Sequence, residues 1–507
     1  MNTLYQLITK QALIRPSQIA LHGEDYLGVI KELNYNQLII EIDKLAKIIT
    51  ELEIRCIALR SHNCIDWALI DLAALKCGIP LIPVPLFFST SQVTHLLTSS
   101  GADCLIGDWL HTEHLDNTIK YTNDIANMPV YRIKNTVSKA LIDGTIKITF
   151  TSGSTGMPKG VCLSENNLIN VSLALANAIE IKPKCHLTIL PLSTLLENIT
   201  GIYVPLLLGA KSYLFQGKRV GLMGSSQLDI HQFAASIAQF KPNTLVLTPA
   251  LLKALIAVTA QNPALASPLQ FVAVGGARVP EILVNQAKAL NIPVYEGYGL
   301  SESASVVSLN TPTHQKAGSC GKALSHVETF VDEQGELFIR GNIALGYIGA
   351  PFNQEWLATG DIAKKDTDGF LTILGRKKNI IITSFGRNIS PEWIESELSS
   401  HIPFITYLIF GEGQDKLGLL VDLPTEYRQY AMNSEALIDF KKMIVDSLTK
   451  FNTTLPDYAR IADIRIIKDL TYQPGLFTNN GKVKRENINT CLDQIESKAL
   501  DSIHIQL

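Results

Sequence analysis

From residue 34 onward the chain alternates two hydrophobic periods. The segment YNQLIIEIDKLAKIITEL spaces its apolar residues three and four apart, as a helix with one buried face does, and WALIDLAALKCG reads as a second helix. CIALR and IPLIPVPL are short apolar runs that read as buried strands. The alternation resumes past residue 140. LIDGTIKITFTSGSTG predicts a strand and then a loop, ENNLINVSLALANAIEI a helix, HLTILPL and KPNTLVLTP strands, LLKALIAVTA a helix, QFVAVGG a strand and PEILVNQAKALN a helix. Apolar strands separated by amphipathic helices predict an α/β fold on a mostly parallel sheet with both faces covered.

After residue 315 the texture changes to short strands and turns, as in GELFIRG and DGFLTILGRKK. The basic run Arg376, Lys377, Lys378 then precedes NIIITSFGRNISPEWIESEL, where Ser390 and Pro391 give a helix start: a hydroxyl N-cap followed by proline at the first helical position. A chain of 507 residues is too long for one core. The predicted division is a large N-terminal domain, 1–377, and a small C-terminal domain, 378–507.

Composition narrows the function. Apolar residues make up 46% of the chain and charged residues 18%, the balance of a globular protein. With 44 basic against 47 acidic residues, net charge −3, there is no broad basic field, so no nucleic-acid partner is expected. The eight cysteines are scattered without a C-x-x-C pair and read as reduced, mostly buried small hydrophobes. The opening stretch MNTLYQLITKQALIRPSQIA lacks the apolar core of a signal peptide, and no run of 18 apolar residues occurs. A cytoplasmic protein is expected, while a slightly positive mean hydropathy leaves room for peripheral membrane contact.

The most informative segment is TSGSTGMPKG, Thr151 to Gly160, directly after IKITF. Its glycines let backbone N–H groups approach an anion, its hydroxyls supply donors, and Lys159 adds a mobile positive charge, so it suits polyphosphate. It is not a Walker A loop, since Pro158 precedes the lysine and Gly160 follows it. The segment resembles the phosphate-binding loop of the adenylate-forming superfamily of acyl-CoA synthetases, luciferases and peptide-synthetase adenylation domains. The resemblance makes Thr151, Ser152, Gly153, Ser154, Thr155, Gly156 and Lys159 nucleotide contacts, with Thr155 counted among the catalytic residues.

Further motifs of that family follow in its order. YEGYGLSE, Tyr295 to Glu302, resembles YG-x-[ST]-E. The likeness puts the Tyr298 ring against adenine, Gly299 and Ser301 beside the nucleotide, and magnesium on Glu302, a catalytic residue. Thr359-Gly360-Asp361 is similar to TGD, whose aspartate accepts both ribose hydroxyls. GRKKN, from Gly375, is similar to the G-R-x-[DK] hinge, with Arg376 on the nucleotide and Lys378 as the pivot. TNNGKVKR, from Thr478, resembles T-x-x-G-K-x-x-R and makes Lys482 the catalytic lysine, its ammonium bridging the acid's carboxylate and the α-phosphate. Lys484 and Arg485 are expected to be solvated or to meet phosphates of coenzyme A.

Two segments frame the acyl pocket by the same likeness. LPLSTLLE, Leu190 to Glu197, looks like the L-P-L-[SA]-H-x-x-E pattern of long-chain acyl-CoA synthetases, with Thr194 where histidine is usual. VGGARVP, from Val274, offers close backbone approach at Gly275 and Gly276, with Gly276 and Ala277 near adenine. An amino-acid substrate is disfavoured, because no aspartate precedes Glu197 to pair with its ammonium. Gly386 is expected to line a pantetheine tunnel. The resemblance as a whole implies a large domain of stacked sheets flanked by helices and a small mobile α/β lid. It implies ATP, Mg2+ and coenzyme A, and a medium- or long-chain fatty acid made into acyl-AMP and then a thioester. An acyl-AMP ligase or acyl-ACP synthetase loading a carrier protein, and a non-catalytic nucleotide-binding relative, remain open alternatives.

Overall fold

The structure, a computed structural model, describes residues 3–109, 118–120, 124–133, 141–151, 158–223, 227–384, 387–399, 401–402, 405–430, 434–478, 483–497 and 502–507. Its body holds two nine-stranded sheets. The centre of the first is parallel, in the spatial order Val294–Tyr298, Phe271–Val274, Thr244–Leu247, Cys185–Leu187, Lys211–Leu214 and Ile19–Glu24. Ile30–Asn34 adds antiparallel at one edge, Ser308–Leu309 and Lys322–Ala323 at the other.

The second sheet is parallel through Cys104–Gly107, Ile57–Arg60, Leu81–Pro83 and Thr145–Thr151. It then turns antiparallel through Lys159–Ser164, Gly346–Tyr347 and Ala350–Pro351. The expected parallel sheet is thus present at both centres, and the edges depart from it. The strand Lys159–Ser164 was not among the expected elements. Its sequence KGVCLS is short and only half apolar, yet Val161, Cys162 and Leu163 are fully buried.

Helices fill the space between the sheets. Ile65–Cys77 is buried from Ile65 through Leu75, apolar nearly all round, as a helix covered on every side must be. Tyr35–Glu51 shows the expected single face, with Leu38, Ile42, Leu45 and Ile49 inward and a capping box at Asn34 and Gln37. One apolar cluster joins these helices to Leu21 and Leu214 of the first sheet and to Ile57 and Leu81 of the second.

A third sheet is antiparallel: Val327–Val331, Glu336–Gly341, Leu357–Lys365 and Leu371–Arg376. Its last two strands set Asp361 opposite Arg376. Past Lys378 the chain forms another four-stranded sheet, Tyr407–Phe410, Leu417–Asp422, Ile461–Ile467 and Ser502–Gln506, with two apolar clusters drawn only from residues 381 onward. The helix Pro391–Leu398 begins as expected, Ser390 accepting from the Trp393 N–H at 3.3 Å. All eight cysteines are unpaired thiols, seven buried and Cys77 partly so. Among the described residues no helix is long and apolar enough to cross a membrane.

Candidate functional site

The strand Thr145–Thr151 returns as Lys159–Ser164, with Thr151 opposite Lys159. The intervening chain therefore starts and ends at one point on the sheet. Its Ser152, Gly153, Ser154, Thr155 and Gly156 lie outside the described residues. The exposed ammonium of Lys159 stands 5.1 Å from the centre of the Tyr347 ring. The Tyr347 hydroxyl donates to Glu302 Oε1 at 2.8 Å, so one tyrosine meets the cation with its ring and the acidic residue with its hydroxyl.

Glu302 follows the strand Val294–Tyr298 through a tight turn at Ser301–Ser303. Gly299 makes that turn feasible: a Cβ there would stand 1.5 Å from the Ser305 carbonyl oxygen. The neighbouring strand Phe271–Val274 ends in Gly275, Gly276 and Ala277. Gly276 has φ +80°, and a Cβ on it would meet nothing within 4 Å, so the requirement is the left-handed turn.

The Tyr298 hydroxyl donates to Asp361 Oδ2 at 2.5 Å, and Arg376 Nε forms an ion pair with Asp361 Oδ1 at 3.0 Å. Arg376 also donates to the Thr359 carbonyl at 2.9 Å. Burial raises the Asp361 pKa, against the pull of Arg376 and the Tyr298 hydroxyl. Burial, with Asp361 beside it, holds the Tyr298 phenol well above its ordinary value.

These groups share one cleft of about 2270 Å³. Ordinary small-molecule pockets occupy roughly 300–1,000 Å³, so this one has room for a nucleotide and an acid together. Thr151, Lys159, Glu302 and Ser301 line one part of it, with Gly275, Gly276, Ala277, Tyr298, Gly299, Asp361 and Arg376. Thr194 lines it too, its hydroxyl donating to the Pro191 carbonyl at 2.7 Å while its backbone opens the helix Leu195–Asn198. Beyond Thr194 the wall turns apolar with Leu195, Leu196, Val204, Leu208 and Leu245. Lys378 reaches the cleft from the turn Lys377–Asn379. Thr478 and Val483, which flank the undescribed residues 479–482 and hence Lys482, line the same cleft.

A family model for AMP-binding enzymes matches residues 8–348, and one for the AMP-binding enzyme C-terminal domain matches residues 378–497. The chain belongs to the AMP-binding enzyme family. Among its curated relatives, a long-chain-fatty-acid–CoA ligase of Mycobacterium bovis is 25% identical over 71% of this chain and 72% of its own. A 2-succinylbenzoate–CoA ligase of Bacillus pumilus is 24% identical over 77% of this chain and 81% of its own. Among solved structures, an anthranilate CoA ligase in complex with anthranoyl-AMP superposes with a TM-score of 0.77, at 19% identity and 98% coverage of both chains. The o-succinylbenzoate coenzyme A synthetase of Bacillus subtilis with ATP and magnesium gives 0.73, at 21% identity, covering 95% of this chain and 99% of that one.

The donor set of this AMP-binding enzyme fits its nucleotide. Asp361 offers acceptors at the cleft wall, Lys159 a cation and Gly276 an open backbone turn. Among the described residues no three His, Cys, Asp or Glu side chains form a metal cage. Glu302 is the carboxylate on that part of the cleft that would hold magnesium.

Two outcomes change the picture drawn from sequence. Arg485, which lines the cleft, is not solvated. It is 11% exposed and clasped by Glu392 (3.1 Å) and Glu395 (2.5 Å) on the helix Pro391–Leu398, because its guanidinium fork meets two carboxylates one turn apart. Glu296 also lines the cleft, and burial pushes its carboxyl up to about 8 against the Val279 N–H and Arg278. Its position two residues before Tyr298 in YEGYG was the available signal. Gly386 lies outside the described residues.

Proposed function

We propose that the chain makes a medium- or long-chain fatty acid into its acyl-adenylate with release of pyrophosphate, and then transfers the acyl group to the thiol of coenzyme A. The observation that carries this reading is the continuity of one cleft. It runs from Lys159, Glu302 and Asp361 to an apolar wall of Leu195, Leu196, Val204 and Leu208, with the residues flanking Lys482 on its rim.

The acid's carboxylate oxygen attacks the α-phosphorus, the bond from that phosphorus to the bridging oxygen breaks, and pyrophosphate leaves. Lys159 and the hydroxyls of the adjoining loop hold the β- and γ-phosphates. Asp361 and Arg376 orient the ribose, and the Tyr298 ring holds adenine. Glu302 would hold magnesium, which when bound would neutralise phosphate charge. Lys482 stabilises charge building at the α-phosphate and aligns the two reactants. Residues 378–507 then turn about Lys378, withdrawing Lys482 and bringing the segment around Gly386 to the acyl-adenylate.

The likeness to a 2-succinylbenzoate–CoA ligase favours a second reading, an acid with an aromatic ring or a second carboxylate, and Lys253 lines the cleft near Ala250 and Leu251. Pyrophosphate release measured over alkanoates of graded length, aromatic acids and dicarboxylates, with coenzyme A and then a holo-carrier protein as acceptor, separates these readings. A maximum among C8–C18 alkanoates with coenzyme A supports the fatty-acid ligase, and a maximum elsewhere sinks it. Lys482→Ala is expected to abolish acid-dependent pyrophosphate exchange yet largely spare thioester formation from supplied acyl-adenylate. Equal loss of both refutes that division of labour.

A further inference from the structure

Behind the cleft lies an ion pair sealed from solvent. Lys147, on the strand that ends at Thr151, and Asp71, in the helix Ile65–Cys77, have side chains 1% exposed. Lys147 Nζ donates to Asp71 Oδ1 at 2.5 Å, to the Tyr203 hydroxyl at 2.7 Å and to Asn198 Oδ1. An ammonium has three hydrogens, and each has an acceptor. Tyr203 and Asn198 complete the ring by donating to Asp71 Oδ2, at 2.6 and 3.0 Å. Burial lowers the Lys147 pKa, and Asp71 opposes that shift.

Asn198 and Tyr203 reach one ammonium because the chain between them is not α-helical. Residues five apart on an α-helix point about 140° apart. Ile199–Tyr203 is instead a π turn, which brings residues five apart together and is frequent at functional sites. Leu195, Leu196, Thr200 and Val204 of the same stretch line the cleft. The ammonium therefore ties two elements that serve different reactants: the strand leading into the phosphate loop and the helical wall of the acyl pocket.

We propose that Lys147 is a positioning residue for acyl-adenylate formation, holding the triphosphate half and the acyl half of the cleft in register through Asp71, Asn198 and Tyr203. A carboxylate displaced by about 1 Å from its line of attack loses on the order of 100-fold in rate. A core ion pair without this role, exchanged for a matched neutral pair, leaves turnover unchanged.

Because the two halves are named from the ligase reading, the unaltered chain is assayed first for acid-dependent pyrophosphate exchange. Lys147→Met combined with Asp71→Asn then removes both charges while keeping the lysine stem and the acceptor for Tyr203. The expected result is an unchanged circular dichroism spectrum and a kcat for exchange lower by about 100-fold. KM for ATP and for the acid, and thioester formation from supplied acyl-adenylate, stay within about threefold. Tyr203→Phe deletes one oxygen and serves where the double variant does not fold, with about a tenfold loss in the same kcat alone. Equal loss in both half-reactions, a loss matched by a smaller folded fraction, or an undiminished kcat overturns the positioning role. An unaltered chain that exchanges pyrophosphate with no acid overturns the ligase reading and this role with it.

Discussion

Two cation–aspartate–tyrosine groups in this protein share one wiring and differ in their surroundings. In Lys147–Asp71–Tyr203 and in Arg376–Asp361–Tyr298, the tyrosine donates to Oδ2 of the aspartate, at 2.6 and 2.5 Å, and the cation forms an ion pair with Oδ1, at 2.5 and 3.0 Å. Lys147 is 1% exposed, whereas Arg376 is 48% exposed on the cleft. The first group has no room for a competitor, so it fixes the relation of three elements. The second opens to a space of ligand size, so its hydrogen bonds are exchangeable for those of a ligand hydroxyl. Access to the cleft, rather than residue identity, separates scaffold from binding site.

The largest test of that contrast is stability. Lys147→Ala leaves Asp71 buried without its cation and is expected to lower the free energy of unfolding by about 3–5 kcal/mol. Arg376→Ala also removes a cation from a buried carboxylate, but its own guanidinium is half exposed and Asp361 keeps the Tyr298 hydroxyl, so a smaller loss than that of Lys147→Ala is expected. Urea denaturation of both variants measures the difference, and similar losses would erase the contrast. Next in size is ligand binding. Asp361→Asn removes a charged acceptor and is expected to weaken AMP by about 10- to 100-fold in calorimetry, from about 1.5–3 kcal/mol for such a hydrogen bond. AMP bound as tightly by that variant as by the unaltered chain would remove Asp361 from the site.

The smallest effect is a pH dependence. The Glu296 carboxyl is pushed up from 4.5 to about 8, so between those values the folded chain holds a proton that the unfolded chain has released. Its contribution to stability is present below pH 4.5 and is lost as pH rises through about 8. The slope is at most about 1.4 kcal/mol per pH unit. Glu296→Gln is expected to flatten that slope in denaturation curves taken from pH 5 to 8, and an unchanged slope would assign the dependence to other groups.

Elements with a strong period were legible in the sequence. Tyr35–Glu51, Ile65–Cys77 and the parallel strands Ile57–Arg60 and Phe271–Val274 stand where the apolar spacing puts them. Lys159–Ser164 was not, because four buried residues, one of them a glycine, between a loop lysine and a cap serine give too little pattern. The π turn at Ile199–Tyr203 was equally hidden, since ITGIYVPLLL reads as plain apolar helix. Local motifs exposed Glu302, Asp361 and Arg376 as candidates. Lys147, Asp71, Asn198 and Tyr203 escaped notice because they come from three distant stretches and meet only after the sheet and helices pack. Arg485 was misjudged for the same reason: its partners, Glu392 and Glu395, lie about 90 residues earlier in the chain.

Arg278 straddles the proposed pivot. One arm donates to the Ile373 carbonyl, before Lys378, at 3.2 Å, and the other meets Glu397, after it, at 3.4 Å. A turn about Lys378 must part Arg278 from Glu397 while the Ile373 bond travels with the body. The Arg278–Glu397 partners are 23% and 37% exposed, so dissolved ions reach them and weaken their attraction. On the proposed turn, brine is expected to ease the parting of Arg278 from Glu397 more than dilute buffer does.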